Sequence, residues 1–185
     1  MPFAKDRLYV ALYVRGGLAT MPDGEDRYHW ALIIGPKSEG ADARGTKVHA
    51  KERLVIAEGK SHSVWELEES QIELAPTGMI LVRVLVAKVK NRKRLVSILQ
   101  SVPVRGGQPG WNCVGWVKEA LELAQKDGKA LRTAVVDWQT VRDAAMRYAL
   151  DKEAAHRFDG KAEPGEFNMA KVPTWNLLKG SESVA

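Results

Sequence analysis

The sequence is poorest in cysteine: Cys113 is the single one among 185 residues. That excludes an internal disulfide and suits a reducing compartment. It also excludes a zinc site built on paired cysteines, and the four histidines (His29, His49, His62, His156) show no zinc-ligand spacing around it. The glycines form no phosphate-binding loop of the usual pattern. No metal and no cofactor are therefore expected. No apolar run approaches the ~20 residues that a helix needs to cross a bilayer, so no membrane span is expected. The stretch Met1–Arg7 carries charge and lacks the apolar core of a secretory signal, and the expected location is cytoplasmic. Internal repeats are absent as well.

What is present suffices for one sizeable core: 45% of the residues are hydrophobic. A single domain over residues 1–158 is expected, followed by an irregular C-terminal extension, 159–185. The formal charge of +5 and a pI near 9.3 favour a polyanionic partner, a statement about association rather than fold.

Strand-like segments come first. Arg7–Val14 is β-rich and mostly apolar, and Tyr28–Ile34 (YHWALII) is closed by Gly35-Pro36. On a pleat His29, Ala31 and Ile33 share one face, and Tyr28, Trp30, Leu32 and Ile34 the other. Thr46–Ala57 reads as a third strand with His49 inside it, Ser63–Leu67 as a short fourth, and Met79–Val89 as the clearest. Helical spacing then takes over: Asn91–Val102, a helix from Cys113 to about Gln125 stopped by Asp127-Gly128, and a long helix from Asp137 to about His156. Asp159–Pro173 reads as irregular and Lys179–Ala185 as a frayed tail. Strands followed by helices predict an α+β fold.

The stretch that concentrates chemistry is Pro109-Gly110-Trp111-Asn112-Cys113 and the helix it opens. Asn112 is placed to cap that helix, which puts Cys113 in the first turn. Unpaired backbone N–H groups and the positive end of the macrodipole favour a thiolate there, so the position suits a nucleophile with a pKa below the reference of about 8.5. A nucleophilic thiol needs a base, a group that orients the base, and donors for the oxyanion. His62 and His156 lie in polar, charged surroundings that fit solvated side chains. His29 is the one strong polar group in a strand otherwise fit for burial, and it needs a partner there. His49 is a candidate for that partner.

The order of a Tyr-His-Trp-Ala strand, a histidine in the next strand and Asn-Cys opening a helix resembles the circularly permuted branch of the NlpC-like papain-fold thiol enzymes, which includes the lecithin:retinol acyltransferase group. The likeness covers Tyr28–Gly35, His49 and Asn112–Leu121. It implies a papain-like antiparallel sheet packed against helices, with Cys113 as nucleophile, His29 as general base and His49 as the orienting third residue. It does not carry a lipid substrate. Val114-Gly115 follow the cysteine where the lipid-acting members have acidic and histidine residues, and no hydrophobic anchor helix comes after. Papain-like enzymes also use a glutamine before the cysteine as an oxyanion donor, a role for which Gln108 is the candidate. The small size, basic charge and Cys-His pair are similar to those of fungal arginine-containing cyclodipeptide synthases, which take aminoacyl groups from charged tRNA.

Lys88, Lys90, Arg92, Lys93 and Arg94 cluster where the last strand meets a helix N-terminus. Cations there oppose the helix dipole, and phosphate is one group that would favour them. Glu66, Glu68, Glu69 and Glu73 form an acidic run that fits a solvated face or a cationic ligand. The expectation is a thiol-dependent acyltransferase or hydrolase acting on a small acyl, aminoacyl or peptidic substrate. The alternatives are a tRNA-dependent cyclodipeptide synthase and a non-enzymatic nucleic-acid-binding module on a degenerate papain-like scaffold.

Overall fold

The computed structural model describes residues 5–185. Its elements follow one another as β1 (Asp6–Val14), a 3₁₀ turn (Glu25–Arg27), β2 (Tyr28–Pro36), β3 (Arg44–Ala57), β4 (Lys60–Glu73), β5 (Ile80–Val89), α1 (Arg92–Ser101), α2 (Cys113–Asp127), β6 (Leu131–Ala134), α3 (Trp138–Ala154), β7 (Thr174–Asn176) and β8 (Ser181–Val184). The fold is α+β: one eight-stranded sheet in the order β4-β3-β2-β1-β5-β7-β8, with β6 also on β5.

Hydrophobic alternation decides which face meets the helices. Leu8, Val10 and Leu12 of β1 and Trp30, Leu32 and Ile34 of β2 join one core with Leu95, Leu99, Trp116, Val117 and Leu121 of the helices. Fully burying each such side chain stabilises the fold by roughly 1.5–3 kcal/mol. The residues in between point the other way. Tyr9, Ala11, Ile33, Leu74 and Leu85 form a smaller core on the opposite face. Each helix starts at a side-chain cap: Asn91 accepts from the Arg94 N–H, Asn112 from Val114 and Asp137 from Thr140. Gly128, at φ 66°, ends α2 in the left-handed conformation that favours glycine.

Three expectations need correction. The fourth strand is not short: β4 has 14 residues and pairs with β3 from Arg44↔Glu73 to Ala57↔Lys60. Glu58 and Gly59, both at positive φ, make the two-residue hairpin turn that sets this register. Part of the acidic run falls within this pairing: Lys51 and Arg53 on β3 pair with Glu66 and Glu68. Next, the sheet is not purely antiparallel, since β7 runs parallel to β5. Finally, residues 159–173 hold only turns, but the last residues are neither irregular nor frayed: β8 pairs with β7. Tyr148 Oη donates to Glu182 (2.6 Å) and to the Val184 carbonyl (3.0 Å), and Lys152 pairs with Glu182, which pins this edge to α3.

Candidate functional site

β2 and β3 carry the two singled-out histidines on the face away from the helices. Their ladder is brief, running only from Leu32↔Val48 to Ile34↔Thr46. Beyond Leu32 toward Tyr28 no ladder pairs the two strands, and the histidine side chains join them instead. His29 Nε2 lies 2.6 Å from His49 Nδ1, and His49 Nε2 lies 3.1 Å from Glu68 Oε1 on β4. His49↔Glu68 are direct register partners, so the third member of this chain comes from cross-strand pairing.

The protons in the chain can be assigned. Hydrogen bonds from Lys51 and His49 hold the Glu68 carboxyl down at about 2, so it is an ionised, accept-only group. His49 therefore donates through Nε2 and accepts through Nδ1. His29 donates from Nε2, which leaves its Nδ1 as an unprotonated lone pair. Burial, with His49, Lys47 and Arg15 around it, pushes His29 down to about 3. Burial also lowers His49, against the opposing pull of Glu68. Both rings rest neutral.

Asn112 Oδ1 accepts from the Val114 N–H at 2.9 Å, so Cys113 opens α2 as the sequence suggests. Its surroundings differ from the expectation. Cys113 is 0% exposed and belongs to the helix-side core with Trp30. Burial pushes its thiol above the ordinary value instead of below it. The Trp30 backbone N–H, the Arg15 guanidinium and the backbone N–H groups of Cys113 and Val114 oppose that rise without cancelling it. Helix position alone thus does not set a pKa: desolvation outweighs the macrodipole here. The thiol sits against the backbone of Trp30, the residue after His29. Among the described residues no hydrogen bond joins Cys113 to either histidine.

The face of the sheet that carries His29 also carries a cavity of about 740 Å³, within the range of small-molecule sites. Ile33, Ile72, Leu74 and Ile80 give it an apolar floor, and Arg15, His29, Lys47 and His49 stand on its polar side. Trp65 forms part of the wall and packs edge-on to Trp111, two residues before Cys113, with ring centroids 5.5 Å apart. Gly106 lets the loop before α2 lie against Trp65: a Cβ there would lie 2.8 Å from Trp65 Cβ.

Gln108 is not brought to this place. It is exposed on the loop before α2, its side chain makes no hydrogen bond among the described residues, and it does not line the cavity. The basic cluster has an internal explanation in part. Arg92 bonds Asp6 (2.7 Å) and Thr46 (2.7 Å), and Arg94 bonds Asp127 (2.7 Å), so these cations at the start of α1 are favoured by carboxylates of the protein itself. Lys88, Lys90 and Lys93 remain exposed. Glu68 is the site residue that sequence reasoning missed; the alternation of Glu66 and Glu68 opposite Lys51 and His49 was the available signal. Among the described residues no group of three or more His, Cys, Asp or Glu side chains is placed to hold a metal ion, and no helix is long and apolar enough to cross a membrane.

Residues 5–184 match the Family of unknown function (DUF6914), and the chain belongs to that family. No curated protein matches it, and no solved structure does.

Proposed function

We propose that this DUF6914 chain is a thiol-dependent acyl-transfer enzyme on a papain-like scaffold, with Cys113 as nucleophile and His29 as general base. The observation that carries the reading is the Glu68–His49–His29 chain. It fixes the tautomers so that the His29 Nδ1 lone pair is free, one residue along the strand from the backbone amide that the thiol faces. Glu68 orients His49, and His49 orients His29, which is the base-plus-orienter logic of nucleophilic catalysis.

In this reading the thiol attacks an acyl carbonyl brought to it at the unpaired stretch between β2 and β3, and its proton passes across that stretch to His29 Nδ1 on the other face. Because thiol and imidazole both rest neutral, the proton moves in step with attack, as in general-base catalysis, and no thiolate–imidazolium pair forms beforehand. The C–S bond forms as the carbonyl becomes an oxyanion. Backbone N–H groups at the start of α2 and at Trp30 are the available donors for that charge. Collapse expels the leaving group, which takes the proton from His29, and leaves a thioester on Cys113. Water or an amine, deprotonated by His29, then attacks the thioester and releases Cys113. Aminoacyl groups from charged tRNA are one class of donor, with Lys88, Lys90 and Lys93 as the exposed cations that would meet phosphate.

A second reading is favoured by one observation, the complete burial of Cys113 and its absence from the cavity wall. On that reading the chain is a binding module and the cavity is its working part. Intact-protein mass spectrometry separates the two. Wild type is exposed to p-nitrophenyl esters, acyl thioesters and charged tRNA. Acyl transfer gives a covalent adduct that maps to Cys113 and is absent in Cys113→Ala. No adduct from any of these donors leaves the binding module.

A further inference from the structure

The cavity wall is not electrically balanced. Arg83 is held by Glu39 (2.8 Å) and Thr174, Lys51 by Glu68, and Arg15 reaches Glu52 at 3.8 Å. Lys47 differs from all of these. Among the described residues no carboxylate comes within ion-pairing distance of its Nζ, which instead lies 5.0 Å from the centre of the Tyr13 ring. Glu68 is the acid that acts on it, but that carboxylate is already engaged by Lys51 and His49. Lys47 is half-buried, and burial lowers its pKa, as for a cation short of a counter-charge. It lies on the His49 face of β3, close enough to act on the His29 ring, as does Arg15. The floor next to it is aliphatic: Ile33 is its register neighbour on β2, and Ile72, Leu74 and Ile80 continue the surface.

From this arrangement we infer that the cavity binds an amphipathic carboxylate, its charged end on Lys47 with Arg15 beside it and its apolar body on Ile33, Ile72, Leu74 and Ile80. A carboxylate supplies the missing counter-charge in a partly desolvated place, where a charge-assisted hydrogen bond is strongest. The acidic run does not compete: Glu66 and Glu68 are spent on Lys51, Arg53 and His49, and Glu73, the one member of the run that lines the cavity, is paired with Arg44 at 3.7 Å. As a statement about substrate the inference rests on the acyl-transfer reading; as a statement about binding it stands without it.

The test uses two probes with the same apolar body, 1-pyrenebutyrate and 1-pyrenebutanol, titrated by fluorescence anisotropy into the full chain. Wild type is expected to prefer the carboxylate by roughly tenfold or more, the span of one charge-assisted hydrogen bond. Lys47→Met should abolish that preference while keeping affinity for the alcohol, and Lys47→Arg should keep it. Retained alcohol binding shows that the Met variant is folded around the cavity. Equal binding of the two probes to wild type, or an undiminished preference in Lys47→Met, overturns the inference. If the preference is present and no donor acylates Cys113, the acyl-transfer reading fails and the carboxylate site stands. An adduct without the preference gives the reverse.

Discussion

The neutral histidine pair makes the fold acid-sensitive in a way that one substitution can isolate. His29 has an ordinary value of 6.5 and a folded value of about 3. Its pKa is depressed on folding, so its contribution to stability is fully present above 6.5 and is lost as pH falls toward 3. Between those limits the unfolded chain binds a proton that the folded chain refuses, which costs about 1.4 kcal/mol per pH unit. Taking the reference curve from pH 7 to pH 5, this one group removes about 2 kcal/mol. In a chain of this size that is about 4–8 °C of Tm. His49, also lowered, adds loss of the same sign. Glu68, held at about 2, adds nothing until pH drops below its ordinary 4.5. The assay is urea unfolding of wild type and His29→Gln at pH 7, 6 and 5. Gln keeps a donor for His49 Nδ1 but cannot titrate. The difference in unfolding free energy between pH 7 and pH 5 should shrink by about 2 kcal/mol in the variant. Identical pH dependence in the two proteins, or an NMR titration of His29 in the folded state with a midpoint near 6.5, refutes the reasoning.

Iodoacetamide should label Cys113 slowly at neutral pH, with a midpoint above the ordinary thiol value, because burial dominates its environment; rapid labelling at pH 7 by the folded protein would contradict this. His29→Ala should lower acyl transfer by roughly 10²–10⁴-fold, the usual worth of a general base. Glu68→Gln should leave the fold intact but mix the His29 tautomers, seen in two-bond ¹⁵N–¹H spectra as loss of the unprotonated Nδ1 signal. Glu182→Ala strips Tyr148 and the nearly buried Lys152 of their shared acceptor and should cost roughly 1–3 kcal/mol in thermal or urea unfolding; an unchanged Tm would show that the C-terminal edge is not held there.

Much of this arrangement could be read from local sequence, because local physics decides it. Strand alternation put His29 and Ile33 on one face and Trp30 and Leu32 on the other, and Asn112 capped the helix that Cys113 opens. What escaped was set by partners far away in the chain. Glu68 meets His49 across a hairpin, 19 residues apart, and Asp6 neutralises Arg92 from 86 residues away. The basic cluster therefore looked uncompensated, although Arg92 and Arg94 are met by Asp6 of β1 and by Asp127 at the end of α2. The rise in the Cys113 pKa escaped for the same reason: the dipole that favours a thiolate belongs to its own helix, whereas the burial that opposes it comes from the core assembled around it. The strands β6, β7 and β8, of three or four residues each, are too short to show a period; their positions follow from neighbours already in the sheet.

The brief ladder between β2 and β3 has a consequence for the backbone beside the thiol. A sheet normally insulates one face from the other, since every amide along its strands is occupied. Here that pairing is missing just where the thiol lies on one side and the imidazole on the other. Between Tyr28 and Ala31 the thiol side and the imidazole side of the sheet are thus separated by backbone and packed side chains, without a ladder of paired amides between β2 and β3. The Trp30 amide is engaged by the Cys113 sulfur and not by a β3 carbonyl, so Cys113→Ala should speed its exchange with solvent deuterium and leave the amides of Leu32 and Ile34 unchanged.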